Sequence, residues 1–165
     1  MIEHLDSIKL TDDEIPVPAR LSSSRPILSP TSPAKPECIA GCCDRWWIDN
    51  RPGKNVAIHY WVFESPQDAE KAAVDGRRCL SARAIYIDGK WESVYQPETE
   101  LENMFGEKTW SWKNNILFIK GNAVVLVSEP AQQVELETIC SIARKIEAKL
   151  DAVLKKDSNV RTKGG

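Results

Sequence analysis

Three short apolar or aromatic runs, separated only by pairs of turn-forming residues, occupy the last third of the sequence. They span residues 109–113, 116–120 and 123–127, and the pairs between them are Asn-Asn at 114–115 and Gly-Asn at 121–122. Asn and Gly tolerate the positive φ angles that tight hairpin turns require. This pattern predicts a three-stranded antiparallel meander.

An amphipathic helix pattern follows the meander. Apolar residues recur with spacings 3-4-3-4-3, which gives one apolar stripe opposite a face rich in Glu, Lys and Arg: Leu136, Ile139, Ala143, Ile146, Leu150 and Val153. The repeat predicts a helix of about five turns. We interpret the stripe as a surface that covers the sheet. The alternative is a coiled coil, which would make a homodimer through this C-terminal helix.

A central strand and a first helix are predicted upstream. Residues 55–63 are apolar or aromatic at both alternating sets of positions, as in strands covered on both sides, and residues 45–48 form a shorter strand candidate. Ser65 is placed to cap a helix whose first position is Pro66. Small residues share one stripe of that helix and would let it approach a sheet closely: Ala69, Ala72, Ala73 and Gly76.

A hairpin is predicted between that helix and the meander. Residues 84–87 and 91–95 flank Asp88 and Gly89, a pair typical of a tight turn. The order of elements is then strand, strand, helix, hairpin, meander and helix. The predicted fold class is α+β, an antiparallel sheet that includes the C-terminal meander and packs against two main helices.

The length of 165 residues is that of one domain with a real core. Residues 16–36 contain six prolines and five serines and little periodicity, so residues 1–37 are predicted to be an extended, Pro/Ser-rich and solvent-exposed leader. Residues 38–156 would form the single domain. Residues 157–165 are predicted to be a flexible tail.

Composition and charge exclude several classes of function. The hydrophobic share of 42% and the charged share of 28% are ordinary for a globular protein. A formal net charge of −2 does not favour nucleic acid as a partner. No apolar run approaches the roughly 20 residues of a transmembrane helix, so membrane insertion is not expected. The first residues also lack the basic and apolar segments of an export signal.

Three of the five cysteines lie within six residues: Cys38, Cys42 and Cys43. Thiolates bind soft metals such as zinc or copper, and a fourth ligand could come from His59, Asp44 or a distant cysteine. The spacing matches no standard zinc pattern. The alternative is disulfides that tie the leader to the domain, for example through Cys79. Cys140 is interpreted as a small buried residue.

No catalytic set is predicted. His59 lies in the middle of the central strand and is interpreted as a hydrogen-bonded sheet histidine; a nucleophilic pair would need a cysteine beside it. The sequence contains no nucleophile elbow, phosphate loop, zinc-protease helix or dinucleotide fingerprint. An enzyme is therefore not the favoured reading.

Six tryptophans are the remaining signal. Four of them are predicted to form an aromatic surface for a ligand or a protein partner, with core packing as the alternative: Trp46, Trp47, Trp110 and Trp112. The predicted function is a non-enzymatic binding or accessory domain. The alternative function is a thiol-based metal-binding or redox protein that uses the three clustered cysteines.

Three strings of the sequence also resemble a known group of domains. They span residues 10–16, 63–69 and 118–122, and residues 106–110 are similar to the segment that precedes the meander in such domains. Together they resemble exported bacterial domains of unknown role, including lipoprotein-type modules similar to the PsbP/Mog1 sandwich. The resemblance implies an α/β sandwich with a binding or accessory role outside the cytoplasm, and it carries over no catalytic residue. An extracytoplasmic location is therefore expected, with the export signal absent from this chain, and a cytoplasmic location is the alternative.

Overall fold

The computed structural model describes residues 1–30, 36–98 and 104–162, with side chains described as far as residue 156. After a 3-10 turn at Leu5–Ser7, these described residues form eight strands and two helices in chain order. They are β1 (Ala19–Pro26), β2 (Ala40–Ile48), β3 (Asn55–Val62), α1 (Pro66–Ser81), β4 (Ala82–Ile87), β5 (Lys90–Tyr95), β6 (Lys108–Trp112), β7 (Asn115–Lys120), β8 (Ala123–Ser128) and α2 (Leu136–Thr162).

Six of the strands form one antiparallel sheet in the order β1-β2-β3-β8-β7-β6, and among the described residues β4 pairs with β5 alone. The predicted α+β class and the predicted meander are confirmed. One turn differs by a residue, because Trp112 pairs with Asn115 and Lys113 takes the positive φ of 50°. Gly121 has the positive φ expected of the second turn, at 57°.

Helix α1 covers one face of the sheet. The side chain of Ser65 accepts a hydrogen bond from the backbone N–H of Asp68, which confirms the predicted cap. The small-residue stripe is buried as predicted, so the helix backbone lies close to β7 and β8. The residues buried between α1 and the sheet include Trp61, Phe63, Trp112, Leu117, Ile119, Val124 and Leu126.

Helix α2 covers the opposite face. Ile139, Ala143, Ile146 and Leu150 are fully buried against the sheet, and the ends of the stripe, Leu136 and Val153, pack on the same core. The interpretation as a core-covering helix is confirmed. A homodimer through this helix stays a prediction, although the apolar stripe that suggested it packs on the sheet. The helix also runs to Thr162, so a tail beginning at residue 157 is wrong for residues 157–162, and residues 163–165 lie outside the description.

The predicted leader is an integral part of the domain, which corrects the expected boundary at residue 38. Four of its apolar residues are buried in the core beside α2: Ile2, Ile8, Leu10 and Ile15. Residues 19–26 form edge strand β1, with a register shift between Leu21 and Ser23. This segment covers the part of the sheet that α2 leaves open. Because it is irregular, its apolar residues follow no period that sequence analysis could detect.

Polar contacts fasten the leader to the rest of the chain. The side-chain oxygen of Asn122 accepts from the backbone N–H of Ile2 at 2.8 Å. Its amide nitrogen donates to the carbonyl of Ile2 at 2.9 Å and to that of Phe63 at 2.7 Å. The ammonium of Lys149 on α2 lies 2.6 Å from the carboxylate of Glu14. None of the described helices is long and apolar enough to cross a membrane.

Replacing Asn122 is expected to destabilise the domain. Asn122 is 1% exposed, and Asn122→Ala leaves three buried backbone groups without their partner. We expect the free energy of unfolding to fall by about 2–4 kcal/mol in urea titrations. Gln133→Ala, at an exposed position, is the control and should change it by less than ~0.5 kcal/mol. Equal stability of the two variants would contradict the role given to Asn122.

Candidate functional site

The hairpin of β4 and β5 stands outside the main sheet. Of its strand residues only Ile85 is not exposed. Its turn is formed by Asp88 and Gly89, whose φ angles of 49° and 80° confirm the predicted type of turn. At its base, the backbone N–H of Gln96 donates to the carbonyl of Ser81 at 3.2 Å. A hairpin that is exposed on both sides gains little of its stability from burial.

One side of this hairpin is aromatic. Tyr86 pairs with Trp91, and Tyr95 lies four residues further along β5, so the three side chains point to the same side. They are 62%, 73% and 51% exposed, respectively. The rings of Tyr86 and Trp91 meet edge to face with centroids 5.3 Å apart. We call these three residues the hairpin aromatic face.

The other side of the hairpin carries further exposed apolar groups. Ile87 and Val94 are 40% and 41% exposed. Single exposed apolar residues are normal on protein surfaces, whereas five within twelve strand residues are not. The hairpin is therefore the most apolar exposed element in the described part of the chain.

A groove of about 400 Å³ opens between the hairpin base, the end of α1 and β6. We call it the basal groove. Arg78 lies 5.1 Å from the ring centre of Tyr95, and Arg77 lies 5.7 Å from that of Trp110. Arg77 also pairs with Glu98 at 3.1 Å. The full lining is Arg77, Arg78, Ser81, Tyr95, Gln96, Glu98, Trp110 and Trp112.

The four predicted tryptophans do not form one surface, and this prediction is corrected. Trp46 is 1% exposed in the core beside α2, so it cannot line an open binding surface. Trp47 points to the opposite side of β2, where the guanidinium of Arg20 lies 6.0 Å from its ring centre. Three strands separate β2 from β6. Only Trp110 and Trp112 come together, in the basal groove.

Sequence reasoning missed the hairpin aromatic face and the two arginines of the groove. The sequence does contain a signal for the hairpin aromatic face. In the predicted hairpin, large apolar or aromatic residues fall at both alternating sets of positions, although a strand at the surface needs only one buried face. Arg77 and Arg78 lie near the end of the predicted first helix, where a positive charge is favourable, so their place in the sequence does not indicate that they also lie beside aromatic rings.

The three clustered cysteines do not face one common point, because β2 directs two of them to opposite sides. Cys42 and Cys43 are consecutive strand residues and point to opposite faces of the sheet. The thiol of Cys42 donates to the carboxylate of Asp44 at 3.2 Å. All five cysteines are free, and across the described ranges no group of three or more His, Cys, Asp or Glu residues could hold a metal ion. Burial raises the pKa of the Cys38 and Cys43 thiols. Binding of zinc or copper stays a prediction.

His59 lies opposite Cys43 in the pairing of β2 with β3. Burial lowers its pKa to about 4, and the positive charges of Arg45 and Arg25 act in the same direction. A hydrogen bond to the backbone of Leu126 opposes the shift, and the ring stacks on Trp61 with centroids 5.6 Å apart. At neutral pH the imidazole is therefore uncharged.

Protonation of His59 should weaken the fold in mild acid. Because its pKa is about 4 in the folded protein and near 6.5 when exposed, the unfolded chain binds the proton more readily between these values. We expect the free energy of unfolding to fall by about 2 kcal/mol as pH drops from 7 to 4.5. His59→Gln should lose most of this decline, whereas His4→Gln, at an exposed position, should retain it. An unchanged profile in His59→Gln would contradict the assignment.

Trp91 is expected to dominate the fluorescence that an ionic quencher can reach. It is 73% exposed, whereas Trp47 and Trp110 are half-buried and Trp46, Trp61 and Trp112 are at most 3% exposed. Trp91→Phe should remove most of the iodide-quenchable emission. Trp112→Phe should leave that fraction nearly unchanged. The reverse order would show that the hairpin is covered in the isolated protein.

Comparison of the chain with protein-family models, with curated proteins and with solved structures found no match.

Proposed function

We propose that this chain is a binding domain that receives a protein partner on the hairpin aromatic face. The exposure of Tyr86, Trp91 and Tyr95 on a hairpin outside the main sheet is the observation that carries the proposal. Large exposed apolar patches on proteins mark interaction sites, and Tyr and Trp dominate the energetics of interfaces.

The energetics of the hairpin support a macromolecular partner. An isolated two-stranded hairpin is only marginally stable in water, and this one is exposed on both sides. A partner surface would remove its apolar side chains from water and would thereby stabilise its conformation. A small ligand could cover one ring but not the whole hairpin.

The basal groove supplies the polar margin that such an interface needs. Arg78 stacks on Tyr95 and has no ion pair among the residues that the structure describes. Its guanidinium could therefore donate to a carboxylate of the partner at the edge of the aromatic contact. Arginine is enriched at interfaces for this reason.

The resemblance to exported PsbP/Mog1-type domains supports the proposal in one respect. It implies an α/β sandwich with a binding or accessory role, and the described residues place one helix on each face of an antiparallel sheet. Membership of that group and export stay predictions.

Site-specific cross-linking tests the proposal. A photo-reactive phenylalanine analogue at position 86 should form a covalent adduct with one protein in native cells, and the same analogue at position 21 should not. Leu21 is also exposed but lies on β1, at the opposite edge of the sheet from β6. Adducts of the same protein from both positions, or no adduct from position 86, would contradict the proposal.

Affinity measurements with the purified partner protein, identified from the cross-linked adduct, then test how much single hairpin residues contribute to binding. Trp91→Ser should weaken its binding by about 30-fold or more, because an exposed tryptophan at the centre of an interface contributes roughly 2 kcal/mol or more. Leu21→Ser is the matched control, since it also removes an exposed apolar side chain. Equal dissociation constants for the two variants, measured by calorimetry, would refute the role of the hairpin.

A further inference from the structure

A second cavity, of about 350 Å³, adjoins the basal groove and shares Gln96 and Trp112 with it. It lies between the start of β4, the turn after β6 and the end of β8. Leu80 and Trp112 form the apolar part of the cavity wall. Its volume lies at the lower end of the range typical of small-molecule sites.

Glu129 lines this cavity and is 2% exposed. One carboxylate oxygen accepts from the backbone N–H of Ala131 at 3.1 Å. The backbone N–H of Glu129 donates to the side-chain oxygen of Asn115 at 3.0 Å, which fixes the residue at the end of β8. The other carboxylate oxygen is buried and has no hydrogen-bond partner in the described part of the protein.

A second buried acceptor belongs to a residue that lines the same cavity. The side-chain oxygen of Gln96 also has no donor among the described residues. Buried polar atoms in proteins are almost always paired, and a buried carboxylate needs a donor most of all. Two unpaired acceptors on residues that line one cavity therefore indicate that a ligand bound there would supply a hydrogen-bond donor. The negative charge of Glu129 favours a donor that is cationic.

Two cationic side chains also line the cavity. Arg83 and Lys113 are exposed, and the described residues offer neither of them an ion pair. A simple cation that approached Glu129 would be repelled by both, and a simple anion that approached the arginine and the lysine would be repelled by Glu129. A ligand with both charges avoids these penalties.

We propose that this cavity binds a small zwitterion of the α-amino acid class. Its ammonium group donates to Glu129 and to the side-chain oxygen of Gln96, its carboxylate faces Arg83 and Lys113, and an apolar side chain packs on Trp112. This site goes beyond the proposed partner surface and does not depend on it.

Calorimetric titration with individual L-amino acids tests the site. At least one common L-amino acid with an apolar side chain should bind saturably. For L-leucine, isopentylamine lacks the carboxylate and 4-methylpentanoate lacks the ammonium group, so each should bind at least about tenfold more weakly than the amino acid. Equal binding of the amine would show a cation site and overturn the zwitterion assignment. No saturable binding of any amino acid would show a solvent-filled cavity.

Variants then test the assigned groups. Glu129→Gln retains the shape of the side chain and removes its charge. This variant should bind the amino acid about tenfold or more weakly than the original protein does. Glu135→Gln, at an exposed position six residues away, should leave binding unchanged. The double variant Arg83→Gln with Lys113→Gln changes only exposed side chains, so it should fold normally and still bind the amino acid more weakly. Unchanged affinity in either the Glu129 variant or the double variant would overturn the proposal.

One control separates this site from the partner surface. Trp91→Ser should leave the affinity for the amino acid unchanged, because Trp91 does not line the cavity. Loss of partner binding in Trp91→Ser together with retained amino acid binding would support both proposals, and retained partner binding with lost amino acid binding would refute both.

Discussion

The pairing of β3 with β8 is the constraint on which the rest of the fold depends. It joins Ala57–Val62 to Ala123–Ser128, two segments about sixty residues apart in the sequence. On one side of this pair the sheet continues through β2 and β1, and on the other through β7 and β6. Both strands are thus central, and almost every side chain on them is buried. Long-range pairing of this kind has a large entropic cost of loop closure, which the burial of apolar residues on both faces must exceed.

This pairing also decides where the hairpin lies. Helix α1 follows β3 and crosses one face of the sheet, and β4 and β5 follow before the chain returns as β6. Since the neighbours of β3 and β8 are already fixed, the hairpin cannot join the centre of the sheet and projects beyond it. Its exposure is therefore a consequence of topology, and the aromatic residues it carries are the feature that topology does not require.

Local patterns predicted the fold well wherever one element determines its own geometry. The cap at Ser65, the small-residue stripe of α1, the meander and the apolar stripe of α2 all follow from short-range spacing, and the structure confirms them. The leader was different. Ile2 and Ile8 are buried because α2 leaves a gap over the sheet there, and the position of that gap depends on where α2 and β2 lie in the fold. No local period encodes such a gap.

The candidate site was less predictable for the same reason. Trp46 and Trp91 look alike in sequence, yet one lies in the core and the other on the most exposed element, since β2 is inside the sheet and β5 is outside it. Glu129 was one acidic residue among 24. Its burial arises only once the cavity walls have assembled, and so does the lack of a hydrogen-bond donor, among the described residues, near one of its oxygens.

The register shift in β1 has a consequence for the behaviour of the protein in concentrated solution. An outermost strand with a regular row of free backbone groups invites another molecule to add to it and so nucleates insoluble fibres. In β1 the irregularity between Leu21 and Ser23 interrupts that row, Pro26 removes a donor at its end, and charged Arg20 and Arg25 flank it. We therefore expect the β1 edge of the sheet to resist the addition of a strand from a second molecule.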